Sequence, residues 1–422
     1  MKKFIINGPN KAIKGEINIS GAKNSCLPLM AASILFQKKV ILKNVPFVKD
    51  VLTMKDLLIS LGAKVELIKK KKIIIITNKK KHKLIVPYNL VSTMRAGVLT
   101  MGPLLARYPK CKIKVALGGG CALGIRDTSW HLSGFKSLGA DNSLKKGYVN
   151  ISSKNVLKGN IFKFPRVTVT GSSNLIMASV FIKGEHIIKN ISIEPEVKDL
   201  INFLNNSGAQ IKFIGRRSLK IIGVNKLING EHTIIGDRIE AFSYLCVGAI
   251  TNGRIKVKNI NPKYLNTELD MLKKIGYKIG VDGNSIMISP GKKLRPISVK
   301  TGPWPQLATD NMPIILAVLT KVPGKSIIEE TIFSNRFMAV PELKRMGAKI
   351  SIKKNKAFIV GQLKLKSADC ISSDLRTTFS IILGAISAEG SSSISRIYHG
   401  LRGYDNLQNK LKKIGINIRF KK

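Results

Sequence analysis

The sequence predicts an α/β protein made of six copies of one supersecondary block, divided three and three, and three observations carry that prediction. A helix end followed by glycine and a strand recurs six times, at Gly62, Gly139, Gly208, Gly276, Gly347 and Gly415, spaced 77, 69, 68, 71 and 68 residues apart. Each block holds a helix that is apolar nearly all round behind a polar start. Short β-branched runs supply strands between them. Near-equal self-similar units of this length mark a repeat architecture.

Each element has a local reason. Glycine suits the position just past a helix, where φ turns positive. The polar starts are Gly21 to Ser25, Ser92 to Arg95, Gly171 to Asn174, Asp237 to Glu240, Ala308 to Asn311 and Ser373 to Arg376. Ser, Thr, Asp and Asn there are helix-capping chemistry. The helices expected behind them are Leu29 to Leu35, Val98 to Leu105, Leu175 to Ile182, Phe242 to Ile250, Ile314 to Leu319 and Phe379 to Ile386. Helices so uniformly apolar belong inside a layer. A more amphipathic helix precedes each glycine, as in Val51 to Leu61 or Pro341 to Met346. Val40-Ile41-Leu42 and Leu219-Lys220-Ile221-Ile222 read as strands. At 422 residues the chain can hold two cores, because single cores stop growing near ~250–300 residues. The break is expected between the third and fourth blocks, near Gly230 to Asp237.

Composition narrows the class. Lys and Arg total 72 against 24 Asp and Glu, a net charge of +48, which invites a nucleic-acid reading. The lysines are spread along the whole chain, and the densest run, Lys69 to Lys81, encloses a strand without aromatic residues for stacking bases. No nucleic-acid partner is expected. The apolar runs fall short of the ~20 residues of a membrane span, and the start of the chain shows no signal-peptide pattern. Five cysteines without C-x-x-C spacing point to a reducing cytoplasm and away from a metal site.

The chemistry concentrates in loops and helix starts. Gly118-Gly119-Gly120-Cys121 with Arg126 can bring backbone N–H groups and a cation to a thiol, which lowers a thiol pKa. It also reads as a glycine-rich turn holding an incidental cysteine. Lys23, Arg95, Arg126, Arg336, Arg376 and Arg402 recur at corresponding places, where helix N-termini favour anions. Asp310 reads either as a helix cap or as a general base. His131 and His399 read as packing or hydrogen-bonding residues.

Ser20-Gly21-Ala22-Lys23-Asn24, Thr93-Met94-Arg95-Ala96, Gly119-Gly120-Cys121 with Gly124 and Arg126, and Asn335-Arg336-Phe337-Met338 together resemble the UDP-N-acetylglucosamine 1-carboxyvinyltransferases of the enolpyruvyl transferase family. Pro341-Glu342-Leu343, Asp374-Leu375-Arg376, Arg396 to His399 and Arg402-Gly403-Tyr404 extend the resemblance along the whole chain. It implies two inside-out α/β-barrel domains, each of three repeated βαβαββ-type units. Residues 22–235 would carry the Cys121 loop, and residues 1–21 with 236–422 would form the other domain, completed by the N-terminal strand. The implied activity moves enolpyruvyl from phosphoenolpyruvate to the 3′-hydroxyl of UDP-N-acetylglucosamine in the cytoplasm, the first committed step of peptidoglycan synthesis. It needs no metal or organic cofactor, and a monomer is expected.

The resemblance also implies roles. Lys23, Arg126 and Arg402 grip phosphoenolpyruvate, with Asn24 beside Lys23. Arg336 and Arg376 add positive field at the reacting carbon, and Asp374 belongs to the same substrate-binding set. Asp310 takes the sugar hydroxyl proton, the backbone at Ile332 contacts the sugar, and Arg95 reaches the nucleotide. Cys121 donates a proton to the enolpyruvyl methylene. The chain departs from the family at Asp127-Thr128-Ser129-Trp130-His131, where Pro-Val-Asp-Leu-His is usual. Asn311-Met312-Pro313 replaces a glutamine-bearing turn. A sister activity on shikimate 3-phosphate is the nearest rival.

Overall fold

The computed structural model describes residues 2–10, 12–79, 81–92, 94–118, 128–362 and 364–421. They divide into two compact units. One holds residues 21–118 and 128–235 (the first unit), the other residues 2–20 and 236–421 (the second unit).

The first unit has three four-stranded sheets of one design. Their orders are Glu231–Thr233, Val40–Lys43, Ile73–Thr77, Lys64–Ile68; then Ile85–Val86, Ile113–Ala116, Tyr148–Ser152, Asp141–Lys145; then Ile161–Lys163, Glu185–Lys189, Ser218–Ile222, Gln210–Gly215. In each, the first two strands pair parallel and the remaining pairs are antiparallel. The lysine-rich stretch forms one of the hairpins. Lys69–Lys71 makes its turn, Lys72 takes φ 53°, and Ile74 and Ile76 point into the core.

The second unit repeats the design with Lys14–Asn18, Arg254–Lys258, Ser285–Ser289, Lys278–Asp282, and with Ser298–Lys300, Lys325–Glu329, Lys356–Val360, Lys349–Lys353. Its third sheet centres on Ala388–Ser395, which runs parallel to Leu365–Lys366 and Asp369–Ile371. The inner antiparallel place beside it is taken by Lys3–Gly8, which also pairs with Ile418–Lys421. The N-terminal strands therefore complete two sheets of this unit, one through Lys14–Asn18 and one through Lys3–Gly8.

All six block-ending glycines have positive φ, between 86° and 119°. That conformation costs an L side chain, so the repeat read in the sequence is a repeat of backbone geometry. The apolar helices are buried on every side, and Arg238–Ile250 and Met312–Leu319 have no exposed residue at all. In the second unit these two helices and Leu375–Ser387 pack against one another. Among the described residues no helix is long and apolar enough to cross a membrane.

Two helices differ from expectation: the stretch Leu29 to Leu35 is the end of α-helix Lys23–Ala32 followed by a 3₁₀ turn, Ser33–Leu35, and the second departs further. In place of a helix over Val98 to Leu105, the chain forms a 3₁₀ turn, Arg95–Thr100, and a short α-helix, Met101–Arg107. Pro103 lacks the N–H that a continuous helix would need there. Gly102 lies against Asn174, where an added Cβ would sit 2.2 Å from the Asn174 carbonyl oxygen. Asn174 then bridges the two segments, accepting from the Gly102 N–H at 2.9 Å and donating to the Val98 carbonyl at 2.9 Å. His131 Nδ1 meets the Asn174 side-chain amide at 2.9 Å. This histidine serves packing and hydrogen bonding.

Candidate active site

In the second unit three of the singled-out residues meet directly. The Arg336 guanidinium donates from Nη2 to Asp310 Oδ1 at 2.7 Å. Arg376 donates to Asp310 Oδ2 from Nε at 3.1 Å and Nη2 at 2.9 Å. Both arginines are almost wholly buried, at 2% and 3% exposure, while the Asp310 side chain is 29% exposed. A buried cation needs charged or hydrogen-bonded partners, and one carboxylate serves two here. Asp310 sits in the 3₁₀ turn Thr309–Asn311, where no side chain caps the backbone. Its oxygens go to guanidinium groups, so the helix-cap reading gives way to a charged cluster with an open side.

Arg376 is held from several directions. Burial opposes its charge, but Asp310, Tyr404 and Asp237 together outweigh that and raise its pKa further. Its guanidinium lies 5.3 Å over the Tyr404 ring, a cation–π distance. Nη1 of Arg376 is buried and meets no hydrogen-bond partner among the described residues. Burial pushes the Tyr404 phenol up to about 12, against the pull of Arg376, and its hydroxyl meets Ser243 Oγ at 2.9 Å.

Asp374 has a structural task. It caps helix Leu375–Ser387, accepting from the Arg376 and Thr377 backbone N–H groups at 2.9 and 3.1 Å. The Thr377 hydroxyl donates to its other oxygen. Asp374 thus fixes the turn from which Arg376 projects. Arg402 ends the 3₁₀ turn Ile397–Arg402 and is half-buried. The His399 imidazole is pushed to lower pKa by burial first and by Arg402 next, while Asp374 opposes the shift.

Ile332 lies in the loop after strand Lys325–Glu329, its side chain exposed and its N–H donated to Glu330 Oε1 at 2.7 Å. Glu330 is buried. It accepts from the Phe333 N–H at 3.1 Å and, through its other oxygen, from the Thr309 hydroxyl at 3.0 Å. Sequence reasoning missed Glu330. Its one available signal was a second acid beside Glu329 at the end of a strand in a basic chain.

The first unit holds the other cations. Lys23 opens helix Lys23–Ala32 and pairs with Asp50 at 3.2 Å, both side chains mostly buried. Asn24 follows on the same turn, half-buried. Arg95, also half-buried, opens the 3₁₀ turn that packs against this helix. On the same turn, the Ser25 hydroxyl donates to Asp199, whose other oxygen meets His232 Nε2 at 2.8 Å. That buried link, also absent from the sequence reading, ties the Lys23 turn to helix Pro195–Asn206 and strand Glu231–Thr233. Cys121 and Arg126 lie outside the described residues, with Thr93, Gly119, Gly120, Gly124 and Asp127. Of the other cysteines, Cys26, Cys246 and Cys370 are buried and Cys111 is exposed. Burial drives the thiol pKa of Cys26 and Cys246 upward and that of Cys370 up to about 12.

Residues 8–411 match the EPSP synthase (3-phosphoshikimate 1-carboxyvinyltransferase) family. The UDP-N-acetylglucosamine 1-carboxyvinyltransferase of Pelagibacter ubique (strain HTCC1062) is 46% identical over 419 residues, 99% of each chain. The protein of the same name from Helicobacter pylori (strain P12) is 42% identical over 96% of each chain. Among solved structures, the enolpyruvyl transferase NikO from Streptomyces tendae superposes with a TM-score of 0.88 at 19% identity, covering 99% of this chain and 98% of that one. EPSP synthase from Acinetobacter baumannii gives 0.78 at 18% identity over the whole of both chains. The fold is the mixed α/β fold of the enolpyruvyl transferases. From these full-length matches, the chain belongs to the enolpyruvyl transferase family, in its UDP-N-acetylglucosamine 1-carboxyvinyltransferase branch.

Proposed function

We propose that this protein transfers enolpyruvyl from phosphoenolpyruvate to the 3′-hydroxyl of UDP-N-acetylglucosamine, releasing phosphate, in the cytoplasmic first committed step of peptidoglycan synthesis. The carrying observation is 46% identity over 99% of the chain to a curated enzyme of that name. The Asp310–Arg336–Arg376 cluster supports it, because the reaction needs a proton acceptor beside strong positive charge.

In this reading the sugar 3′-oxygen bonds to C2 of phosphoenolpyruvate while its proton passes to Asp310. Cys121 gives a proton to C3, turning the methylene into a methyl group. The C2–O bond to phosphate then breaks, the phosphate leaving with the proton held by Asp310, and the Cys121 thiolate takes a proton from the methyl, restoring the double bond in the product. Lys23, Asn24, Arg126 and Arg402 hold the phosphate and carboxylate, and Arg336 and Arg376 stabilise charge at C2. Ile332 contacts the sugar through its backbone, and Arg95 reaches the nucleotide. Holding two reactants together supplies much of the rate, through proximity. With this reading we infer domains 22–235 and 1–21 plus 236–422, each an inside-out barrel of three blocks. Three sheets per unit and helices buried on every side support that arrangement.

Phosphate release from phosphoenolpyruvate, measured with UDP-N-acetylglucosamine and separately with shikimate 3-phosphate, tests the assignment. Turnover is expected with the sugar nucleotide alone. Release driven only by shikimate 3-phosphate overturns the proposal in favour of the sister reaction.

A further inference from the structure

We propose that Glu330 is a positioning residue that sets the acceptor sugar's two contact points, the Ile332 backbone and the Asp310 turn, in one fixed geometry. The inference rests on the reading above, which places the sugar against both.

Glu329 and Glu330 are neighbours with opposite fates. Glu329 ends its strand facing lysines, with Lys300 at 3.2 Å and Lys356 at 3.7 Å. Glu330 turns inward and is 3% exposed. Each of its oxygens is used on a different segment. Oε1 takes the N–H groups of Ile332 and Phe333 at 2.7 and 3.1 Å, and Oε2 takes the Thr309 hydroxyl at 3.0 Å. The backbone at Glu330 is itself anchored, its N–H donating to the Asn355 carbonyl at 2.9 Å and its carbonyl accepting from the Asn355 amide at 3.2 Å.

A buried carboxylate is tolerated when hydrogen bonds replace its water. In a chain with 72 cations, Glu330 meets two backbone amides and a hydroxyl. It therefore orders polar groups of two segments at once. Thr309 adjoins Asp310, and the Thr309 carbonyl accepts from Arg336 Nε at 2.9 Å. The 309–310 turn is thus gripped from one side by Arg336, which also binds Asp310, and from the other by Glu330. Without Glu330, the Ile332 loop and the Asp310 turn lose their shared partner, and three donors lose this acceptor. An ångström of drift between such contact points costs binding and rate.

Steady-state kinetics with both substrates varied provides the test. Glu330→Ala should raise KM for UDP-N-acetylglucosamine about tenfold or more while KM for phosphoenolpyruvate stays within about threefold. Glu330→Gln should restore most of the loss, since its amide oxygen can take the two N–H groups and its nitrogen can face the Thr309 hydroxyl. Thr309→Val, which removes only the hydroxyl, should give a sugar-selective rise of about threefold. Equal rises in both constants, or an unchanged sugar constant in Glu330→Ala, overturn the proposal. If Glu330→Ala fails to fold, Thr309→Val decides: a sugar-selective rise supports the idea and an unchanged constant overturns it. Wild-type protein that releases no phosphate with UDP-N-acetylglucosamine refutes the reading of function itself, an outcome distinct from any variant result.

Discussion

The two units start their helices in different ways. In the second unit a carboxylate stands at each start. Asp237 caps Arg238–Ile250 through two backbone N–H groups, Asp374 caps Leu375–Ser387, and Asp310 lies in the turn before Met312–Leu319. In the first unit the residues preceding Lys23–Ala32, Arg95–Thr100 and Val169–Ser179 are Ala22, Met94 and Thr168, and only Thr168 caps with its side chain. Cations, Lys23 and Arg95, open the first two. Helix N-termini carry partial positive charge. A carboxylate offsets that charge, whereas a cation adds to it. The two units thus differ in the charge that stands at their helix starts, and four measurements can break or sharpen that contrast.

The largest effect is expected at Asp310. Asp310→Asn keeps the shape and removes the proton acceptor, so kcat should fall by about 10²–10⁴. Two buried guanidinium groups would also lose their counter-charge, a cost of up to about 3–5 kcal/mol visible in urea unfolding. An unchanged kcat removes Asp310 from the proton path.

Next comes Lys23→Ala. A lost charge-assisted contact to the anion should lower kcat/KM by about 2–4 kcal/mol, with KM for phosphoenolpyruvate affected most. Near-normal efficiency would take Lys23 out of the site and weaken the contrast.

The thiols give the third measurement. An epoxide mimic of phosphoenolpyruvate, of the fosfomycin type, should label Cys121 first. Cys26, Cys246 and Cys370 are buried with raised pKa, and exposed Cys111 is the internal control. Cys121→Asp should keep a proton donor and much of the activity while abolishing labelling, and Cys121→Ser should lose most turnover. Peptide mass mapping that finds the label chiefly on Cys111 would sink the assignment.

Mild acid should separate the units by the smallest margin. In the first unit, burial lowers the His82 and His186 pKa from 6.5 to about 4. The unfolded chain gains these protons near pH 6.5 and the folded chain only near pH 4, so stability falls as pH drops through that window. At pH 5 the loss is on the order of 1–2 kcal/mol per histidine. In the second unit, burial lowers the His399 pKa in the same sense but raises that of Glu240 and Glu268, which has the opposite sign: the folded state takes up those two carboxyl protons first. Amide exchange at pH 5 against pH 7 should therefore show first-unit protection falling relative to the second. Equal loss in both units would refute the assignment of acid sensitivity to these histidines.

Local signals alone determined a good part of this protein. The six glycines needed no tertiary information, because a helix end demands positive φ wherever it occurs, and all six adopt it. The apolar helices were equally legible, since a helix without a polar face has to be buried. Asp237 and Asp374 could be read as caps because a cap acts on its own next turn. The helix over Val98 to Leu105 was misread because its break depends partly on Asn174, 72 residues beyond Gly102.

What tertiary structure alone decided lies at long sequence separation. Asp310 carries the same local pattern as a cap, and only the approach of Arg336 and Arg376, 26 and 66 residues away, turns its carboxylate to guanidinium groups. Lys3–Gly8 has no local feature that assigns it to the sheet of Ala388–Ser395. Glu330 is indistinguishable from Glu329 until the strand ends and one faces lysines while the other meets Thr309. Backbone geometry and burial are written in neighbouring residues. Charge partners are set by which distant segments the fold brings within about 3 Å, the range of a hydrogen bond.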